Sequence, residues 1–234
     1  MAVLVAVILT SGLLVGCQGG VIKGSGNLET ETFNFSDFTR VDIGNAFETE
    51  IAQSGSYNVN ITADDNLLEY IRVSKEGKVT MPELRGVELS GATRGTVSGF
   101  SSTENLDIGV SGASSLNLVD IPAGDARIDV SGASKVTGDI TAGDADLDIS
   151  GASTVQLEGS ASDIVAEASG ASRVKLAGFT VSNADVTLGG ASTGTVNLDG
   201  RLDADLSGAS KLSYIGEPTM GNINTSGAST LSKE

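Results

Sequence analysis

The chain contains no histidine and no tryptophan, and its single cysteine is Cys17. Imidazole general bases, His/Cys metal sites and thiol–imidazole nucleophile pairs are therefore excluded. Aromatic rings are scarce, with six Phe and three Tyr, whereas there are 31 Gly in 234 residues. Such a composition calls for a narrow interior lined by aliphatic and very small side chains. Cations are also few: 14 Lys and Arg face 30 Asp and Glu, for a formal charge of −16 and a pI near 4.2. That balance argues against a nucleic-acid backbone as partner. At 39% hydrophobic residues and a mean hydropathy of +0.10, the chain is too apolar for an acidic disordered tail. Its length accommodates one or two packed units.

Residues 2–16 read AVLVAVILTSGLLVG, an uncharged apolar run that would reach roughly 22 Å as a helix, short of a bilayer core of about 30 Å. The length and the small-residue ending instead suit a secretory signal segment over 1–16. Leu14-Val15-Gly16-Cys17 resembles the lipobox at which bacterial lipoproteins are cut and acylated on the cysteine, which makes Cys17 the expected lipid-attachment residue. Gln18-Gly19-Gly20 then opens a tether over 17–27. The signal carries no Lys or Arg at its start, which points to a misassigned start codon. Acylation would convert the sole thiol to a thioether and leave no cysteine for disulfides, so packing alone must stabilise the exported domain. Gln18 in place of Asp after the cysteine is the pattern of outer-membrane sorting, where the organism has an outer membrane.

The strongest signal is a repeat. Ser-Gly-Ala-Ser, or a near relative, returns with its Gly at 91, 112, 132, 151, 170, 190, 208 and 227. The intervals are 21, 20, 19, 19, 20, 18 and 19 residues, a period that marks stacked architectures. A short alternating run precedes each tetrapeptide, as in Arg127-Ile128-Asp129-Val130 and Asp146-Leu147-Asp148-Ile149. A second follows it, as in Val155-Gln156-Leu157 and Val174-Lys175-Leu176. Both have the period of two expected of strands with one buried face. No unit holds ten residues of helical periodicity, which excludes helical solenoids, and a β-propeller needs about twice the period. A coil that returns every 19 residues stacks equivalent strands in parallel at about 4.8 Å, which predicts a parallel β-helix over 81–234, roughly 35 to 40 Å long. Gly suits a corner needing φ > 0, and small neighbours avoid the copy above. Which of the Ala and Ser side chains points inward stays open, because the corner can reset the alternation.

Residues 28–80 lack the tetrapeptide but alternate strongly, and Asp64-Asp65-Asn66-Leu67-Leu68-Glu69-Tyr70-Ile71 offers N-cap residues before apolar positions. This region is expected to be a β-rich N-terminal cap with a short helix, covering the first coil's edge. The other end looks thinly covered, which leaves end-to-end self-association open. The order of Phe38, Glu48-Thr49-Glu50-Ile51, Tyr57-Asn58-Val59, the 64–71 segment, the repeated tetrapeptide and Tyr214-Ile215-Gly216-Glu217-Pro218 resembles the bacterial head-GIN-domain family, named for auto-transporter adhesins. The resemblance spans roughly 28–234. It implies an all-β, right-handed parallel β-helix on exported, often lipid-anchored bacterial proteins, an adhesin-like role, and no catalytic residues to carry over. One departure is the direct passage from Glu76-Gly77-Lys78 to Val79-Thr80-Met81, where relatives carry a longer strand and loop.

Surface chemistry follows from the alternation. Glu88, Asp129, Asp148, Glu167 and Asp205 should form one outward line, with Asp107, Asp146, Asp185 and Asp203 beside it and Arg127, Val165 and Thr187 interrupting. A cation such as Ca²⁺ would neutralise such a ladder, whereas solvation and protection against lateral sheet pairing need no ligand. Arg94, Lys135, Arg173 and Lys211, with Lys175 alongside, should form another line separated by Ser115, Thr154, Thr193 and Thr230, facing acidic polysaccharide, an acidic protein face, or only water. Polysaccharide-cleaving β-helices build clefts from inserted loops, and here the period never leaves 18–21 residues. The resulting expectation is a non-enzymatic, lipid-anchored cell-envelope protein with an adhesin-like binding or structural β-helix, no cofactor, no metal and no catalytic residue. Its partners would be the membrane through Cys17 and an unidentified protein or glycan, and not nucleic acid. The alternatives are a polysaccharide-cleaving β-helix enzyme and a cation-binding acidic solenoid.

Overall fold

A computed structural model describes residues 25–44, 48–68 and 76–234. The expected signal segment and Cys17 lie outside these, as do residues 69–71 of the expected helix. The N-terminal elements are β1 (Leu28–Phe33), β2 (Arg40–Ile43), β3 (Glu48–Gln53), β4 (Asn58–Asp64), a single helical turn α1 (Asp65–Leu68) and β5 (Glu76–Met81). The repeats supply β6 (Gly86–Leu89), β7 (Arg94–Ser98), β8 (Leu106–Val110), β9 (Ser115–Pro122), β10 (Ala126–Val130), β11 (Lys135–Thr141), β12 (Ala145–Ile149) and β13 (Thr154–Ser160). They continue through β14 (Asp163–Ala168), β15 (Arg173–Val181), β16 (Asn183–Leu188), β17 (Thr193–Leu198), β18 (Arg201–Leu206), β19 (Lys211–Ile215), β20 (Thr219–Thr225) and β21 (Thr230–Lys233).

These strands form two sheets. Sheet A has twelve strands in the order β1-β4-β5-β3-β7-β9-β11-β13-β15-β17-β19-β21, and sheet B has nine, β2-β6-β8-β10-β12-β14-β16-β18-β20. Each coil contributes one strand to each sheet, and every pairing from β6 onward is parallel. The result is an all-β parallel solenoid of about eight turns. Alternate residues of both sheets point into a single core, so one coil buries Leu147 and Ile149 from sheet B against Val155 and Leu157 from sheet A, each no more than 1% exposed. Burial of such aliphatic side chains contributes about 1.5–3 kcal/mol apiece. Phe100 and Phe179 are buried in the same core.

The tetrapeptide forms the corner from sheet B to sheet A. Its Gly adopts φ of +69° to +78° in all eight copies. Stacking adds a second constraint: a Cβ at Gly112 would sit 2.6 Å from the carbonyl oxygen of Gly91 in the coil before, and later copies repeat the collision. That same carbonyl accepts the N–H of the next coil's Ala, at 2.9 Å for Ala113 to Gly91 and 2.8 Å for Ala152 to Gly132. The residues on either side bond likewise, as in Ser150 N–H to Val130 and Thr154 N–H to Ser134, so the corner continues the ladder of the strands without a gap. The alternation question is answered as well. The Ala side faces solvent, while the last residue of the tetrapeptide turns inward as a stack of Thr93, Ser114, Ser134, Ser153, Ser172, Ser192 and Ser210, each at most 2% exposed. Thr93, Ser172 and Ser192 donate to the carbonyl three residues earlier at 2.7–2.8 Å.

Deviations from a 19-residue period are absorbed away from this corner. In β9 an extra residue at Asp120 (φ +54°) breaks the register with β11, and β15 bulges against both neighbours. Such bulges accommodate the 20-residue intervals while the corner glycines stay aligned.

Within the stretch 28–80, β2 and β3 already pair in parallel with β6 and β7, so the solenoid reaches back to them. The added layer consists of β4 and β1, antiparallel extensions of sheet A beyond β5. The N-terminal side of the described chain is tied to this layer, because Ser25 N–H donates to Asn66 (2.9 Å), Ser25 Oγ to Asp65 (2.6 Å) and Asp65 N–H to the Asn27 carbonyl (2.9 Å). The Ser25 bond, followed by the Asn66 N–H, lowers the Asp65 carboxyl below its ordinary pKa.

Gly151→Ala forces a positive φ on an L side chain and drives its Cβ into the Gly132 backbone, which should cost about 2 kcal/mol or more. The melting temperature should fall by about 4 °C or more. Ala152→Ser, at the exposed neighbouring position, should shift stability by no more than about 0.5 kcal/mol. Thermal denaturation of the two variants checks both expectations.

Candidate functional site

The outward rows are in register, and the two sheets carry opposite electrostatic characters. On sheet B the first row runs Asp42, Glu88, Gly109, Asp129, Asp148, Glu167, Thr187, Asp205 and Asn224 across successive strands. Asp107, Arg127, Asp146, Val165, Asp185 and Asp203 follow one another in the row beside it. The acidic lines read from the sequence therefore exist as lines, and Gly109 adds a gap in the first.

Every cation in these sheet B rows is neutralised within its own sheet. Arg40 pairs with Asp107, Arg127 bridges Asp129 (3.2 Å) and Asp146 (3.0 Å), and Arg201 grips Asp203 (2.5 Å). The Arg201 hydrogen bonds, with a further one from the Asn222 N–H, lower the Asp203 carboxyl to about 2. Asp42 moves the other way: partial burial raises its pKa first, and the neighbouring Glu88 raises it further. Asp42, Glu88 and Asp129 surround the notch left by Gly109, a space of about 250 Å³ that Ser90, Ser111 and Ser131 also line. Among the described residues, no group of three His, Cys, Asp or Glu side chains is arranged to hold a metal ion.

Sheet A is different. Its row nearest the tetrapeptide corner alternates Arg94, Ser115, Lys135, Thr154, Arg173, Thr193, Lys211 and Thr230, strand by strand. The next row runs Thr96, Asn117, Thr137, Gln156, Lys175, Thr195, Ser213 and Ser232. From β7 to β21 these two rows hold five cations and no carboxylate, and on the preceding strand, β3, Glu48 stands beside Arg94 and Glu50 beside Thr96. All five cations are exposed, and among the described residues none has a carboxylate within ion-pair distance. From β7 onward, carboxylates on this face lie further along the strands, with Asp139 beside Glu158. Toward the N-terminal layer the rows enter a shallow groove of about 780 Å³ whose lining includes Arg94, Lys135, Lys78, Glu50, Asn117 and Thr137. Lys78 and Glu50 neutralise each other there at 2.9 Å.

The second corner, from sheet A back to sheet B, carries a ladder that sequence reading missed. Asn105 Oδ1 accepts the Asp125 N–H (3.0 Å), Asp125 that of Asp144 (3.1 Å) and Asp144 that of Asp163 (3.2 Å). Asn183 then reaches Asp163 through its amide at 2.7 Å. These acidic side chains hold neighbouring coils together and act as structure. Their signal was available as an Asn or Asp seven residues before each of Gly112, Gly132, Gly151, Gly170 and Gly190, obscured because the residue changes between Asn and Asp and Ala-Gly precedes it only at 123–125 and 142–144.

The molecule is thus a parallel solenoid with one acidic face, whose few cations are paired, and one narrow cationic stripe. The chain belongs to the family described as "Putative auto-transporter adhesin, head GIN domain", which matches residues 37–218. Its fold is shared with the crystal structure of a "putative adhesin" from Parabacteroides merdae (TM-score 0.81, 19% identity, 91% of this chain and 98% of that one). A "putative adhesin" from Parabacteroides distasonis compares equally well (0.81, 19%, 91% and 99%). A "Putative lipid binding protein" from the same species is also similar (0.67, 15%, 91% and 99%). No curated protein matches.

The raised Asp42 carboxyl has a pH consequence. A group that binds its proton more tightly in the folded state favours folding below its ordinary pKa and loses that contribution as pH rises through the raised value. Asp42→Asn should therefore raise the melting temperature relative to the parent at pH 7, and the difference should vanish below about pH 4. Calorimetric scans at the two pH values check this.

Proposed function

We propose that this chain is a non-enzymatic, exported module of the cell envelope, anchored through a lipid on Cys17, that acts by adhesin-like contact along its solenoid. The observation that carries the reading is the unpaired cation and hydroxyl stripe of sheet A, set against a sheet B whose cations are already paired. A face whose charges are not internally spent keeps them for a partner, and many individually weak contacts along a rigid surface add up through avidity. Family membership supports the adhesin-like role and a cell-surface location. The apolar 2–16 run and the Leu-Val-Gly-Cys sequence support export and acylation. Sorting to the outer membrane follows from Gln18 where such a membrane exists.

The non-enzymatic part rests on the uniform coils. Every period falls between 18 and 21 residues, so no inserted loop builds the walls of a substrate cleft. The stripe also presents no aromatic platform on which a sugar ring would stack.

Two measurements test the reading. Radiolabelled palmitate should enter the protein in a bacterial host and be lost on Cys17→Ser; label retained in that variant would refute the anchor. Incubation with plant and bacterial polysaccharides should generate no new reducing ends, and release of oligosaccharides would refute the non-enzymatic assignment.

A further inference from the structure

The spacing of the sheet A cations points to a kind of ligand. Arg94, Lys135, Arg173 and Lys211 occupy every second strand of the sheet, one positive charge per about 9.6 Å at the strand spacing, over a track of about 29 Å. Hydroxyls fill the strands between them, and amides, hydroxyls and Lys175 line the adjacent row. We propose that this stripe is the binding track for a linear acidic polysaccharide that carries one carboxylate or sulfate per disaccharide and lies along the solenoid axis. This deepens the binding-module reading above and rests on it.

Three features select that occupant. An extended disaccharide spans about the same distance as two strand spacings, so successive acidic groups meet successive cations while the intervening sugar hydroxyls face Ser115, Thr154 and Thr193. The stripe is only two residues wide and is bordered by Asp139 and Glu158, so it accommodates a line of charge better than the plane of an anionic membrane. Nucleic acid fits less well, because its phosphates recur at about 3.4 Å along a strand and the track has no aromatic ring for base stacking. A second copy's sheet B is acidic as well, but Asp129, Asp148 and Glu167 recur there at one strand spacing, about 4.8 Å, and not at the two spacings that separate these cations. The overall charge of −16 does not cancel the attraction. Physiological salt screens beyond about 8 Å, and the acids of sheet B lie across a sandwich about 10 Å thick.

The test uses the full chain with fluorescent hyaluronan oligosaccharides, which carry one carboxylate per disaccharide, alongside dextran and phosphatidylglycerol vesicles. Saturable binding to hyaluronan is expected at about 0.15 M salt, weakened at least about tenfold at about 1 M salt. Lys135→Gln combined with Arg173→Gln removes two of the stripe's five cations and should weaken binding about tenfold or more. Arg127→Gln, on the opposite sheet, should leave it unchanged. Failure to bind hyaluronan, equal binding of dextran, capture by vesicles alone, or indifference to the double substitution would overturn the proposal. Reducing ends are measured in the same samples, so hyaluronan cleavage would sink the non-enzymatic reading, whereas absent binding would sink only the polysaccharide track.

Discussion

The structure depends on the contact between one corner glycine and the next. The carbonyl of each tetrapeptide Gly accepts the N–H of the Ala one coil later, and it lies where a Cβ on the following Gly would have to be. The residue is thus selected twice, by a backbone in the left-handed region and by the closeness of its own copy. Because the contact links equivalent residues, it sets the register of every strand on both sides. Side-chain alternation then determines which residues face the core and which face water. The buried Ser stack follows from the same geometry. The corner turns that side chain inward, where the corner's own backbone supplies an acceptor to Thr93, Ser172 and Ser192, while the Ser134 hydroxyl is left without a partner among the described residues.

With register fixed, the surface becomes a set of straight lines whose chemistry is that of one position in the repeat. This is how a chain of net charge −16 keeps a cationic stripe: its cations recur at the position just after the tetrapeptide, while its acids recur just before it. Pairing of Arg40, Arg127 and Arg201 within sheet B relieves repulsion among stacked carboxylates at about 4.8 Å. The sheet A row of Arg94, Lys135, Arg173 and Lys211 needs no such relief, because hydroxyls separate its charges. The two faces of one sandwich therefore present different chemistry to their surroundings.

Much of this was legible in the sequence. The repeat positions of Gly91 to Gly227 define the coil, and alternation in segments such as Arg127-Ile128-Asp129-Val130 assigns inward and outward residues directly, so both kinds of charged line could be read in advance. What stayed hidden depends on geometry that alternation does not encode. The inward turn of Ser153 keeps the parity of Ile149 and Val155, with only Gly151 departing from it, and whether the corner preserved that parity could not be read from the residues. The return of β2 and β3 into the solenoid rests on pairing with β6 and β7 across more than forty residues, and no tetrapeptide marks it. The Asn105 to Asn183 ladder keeps seven residues to the next corner glycine, but its alternation between Asn and Asp hid it among the many other acids of the chain.

The most direct measurement of the stacking is a set of spin-label distances between corner alanines, which are exposed and tolerant. In a Cys17→Ser background, labels at Ala92 paired in turn with Ala171, Ala191, Ala209 and Ala228 sample four to seven coils. The account predicts separations that lengthen by about 5 Å with each added coil, from about 19 Å to about 34 Å between backbones. Distances that fail to grow with coil number, or that alternate between short and long, would contradict it.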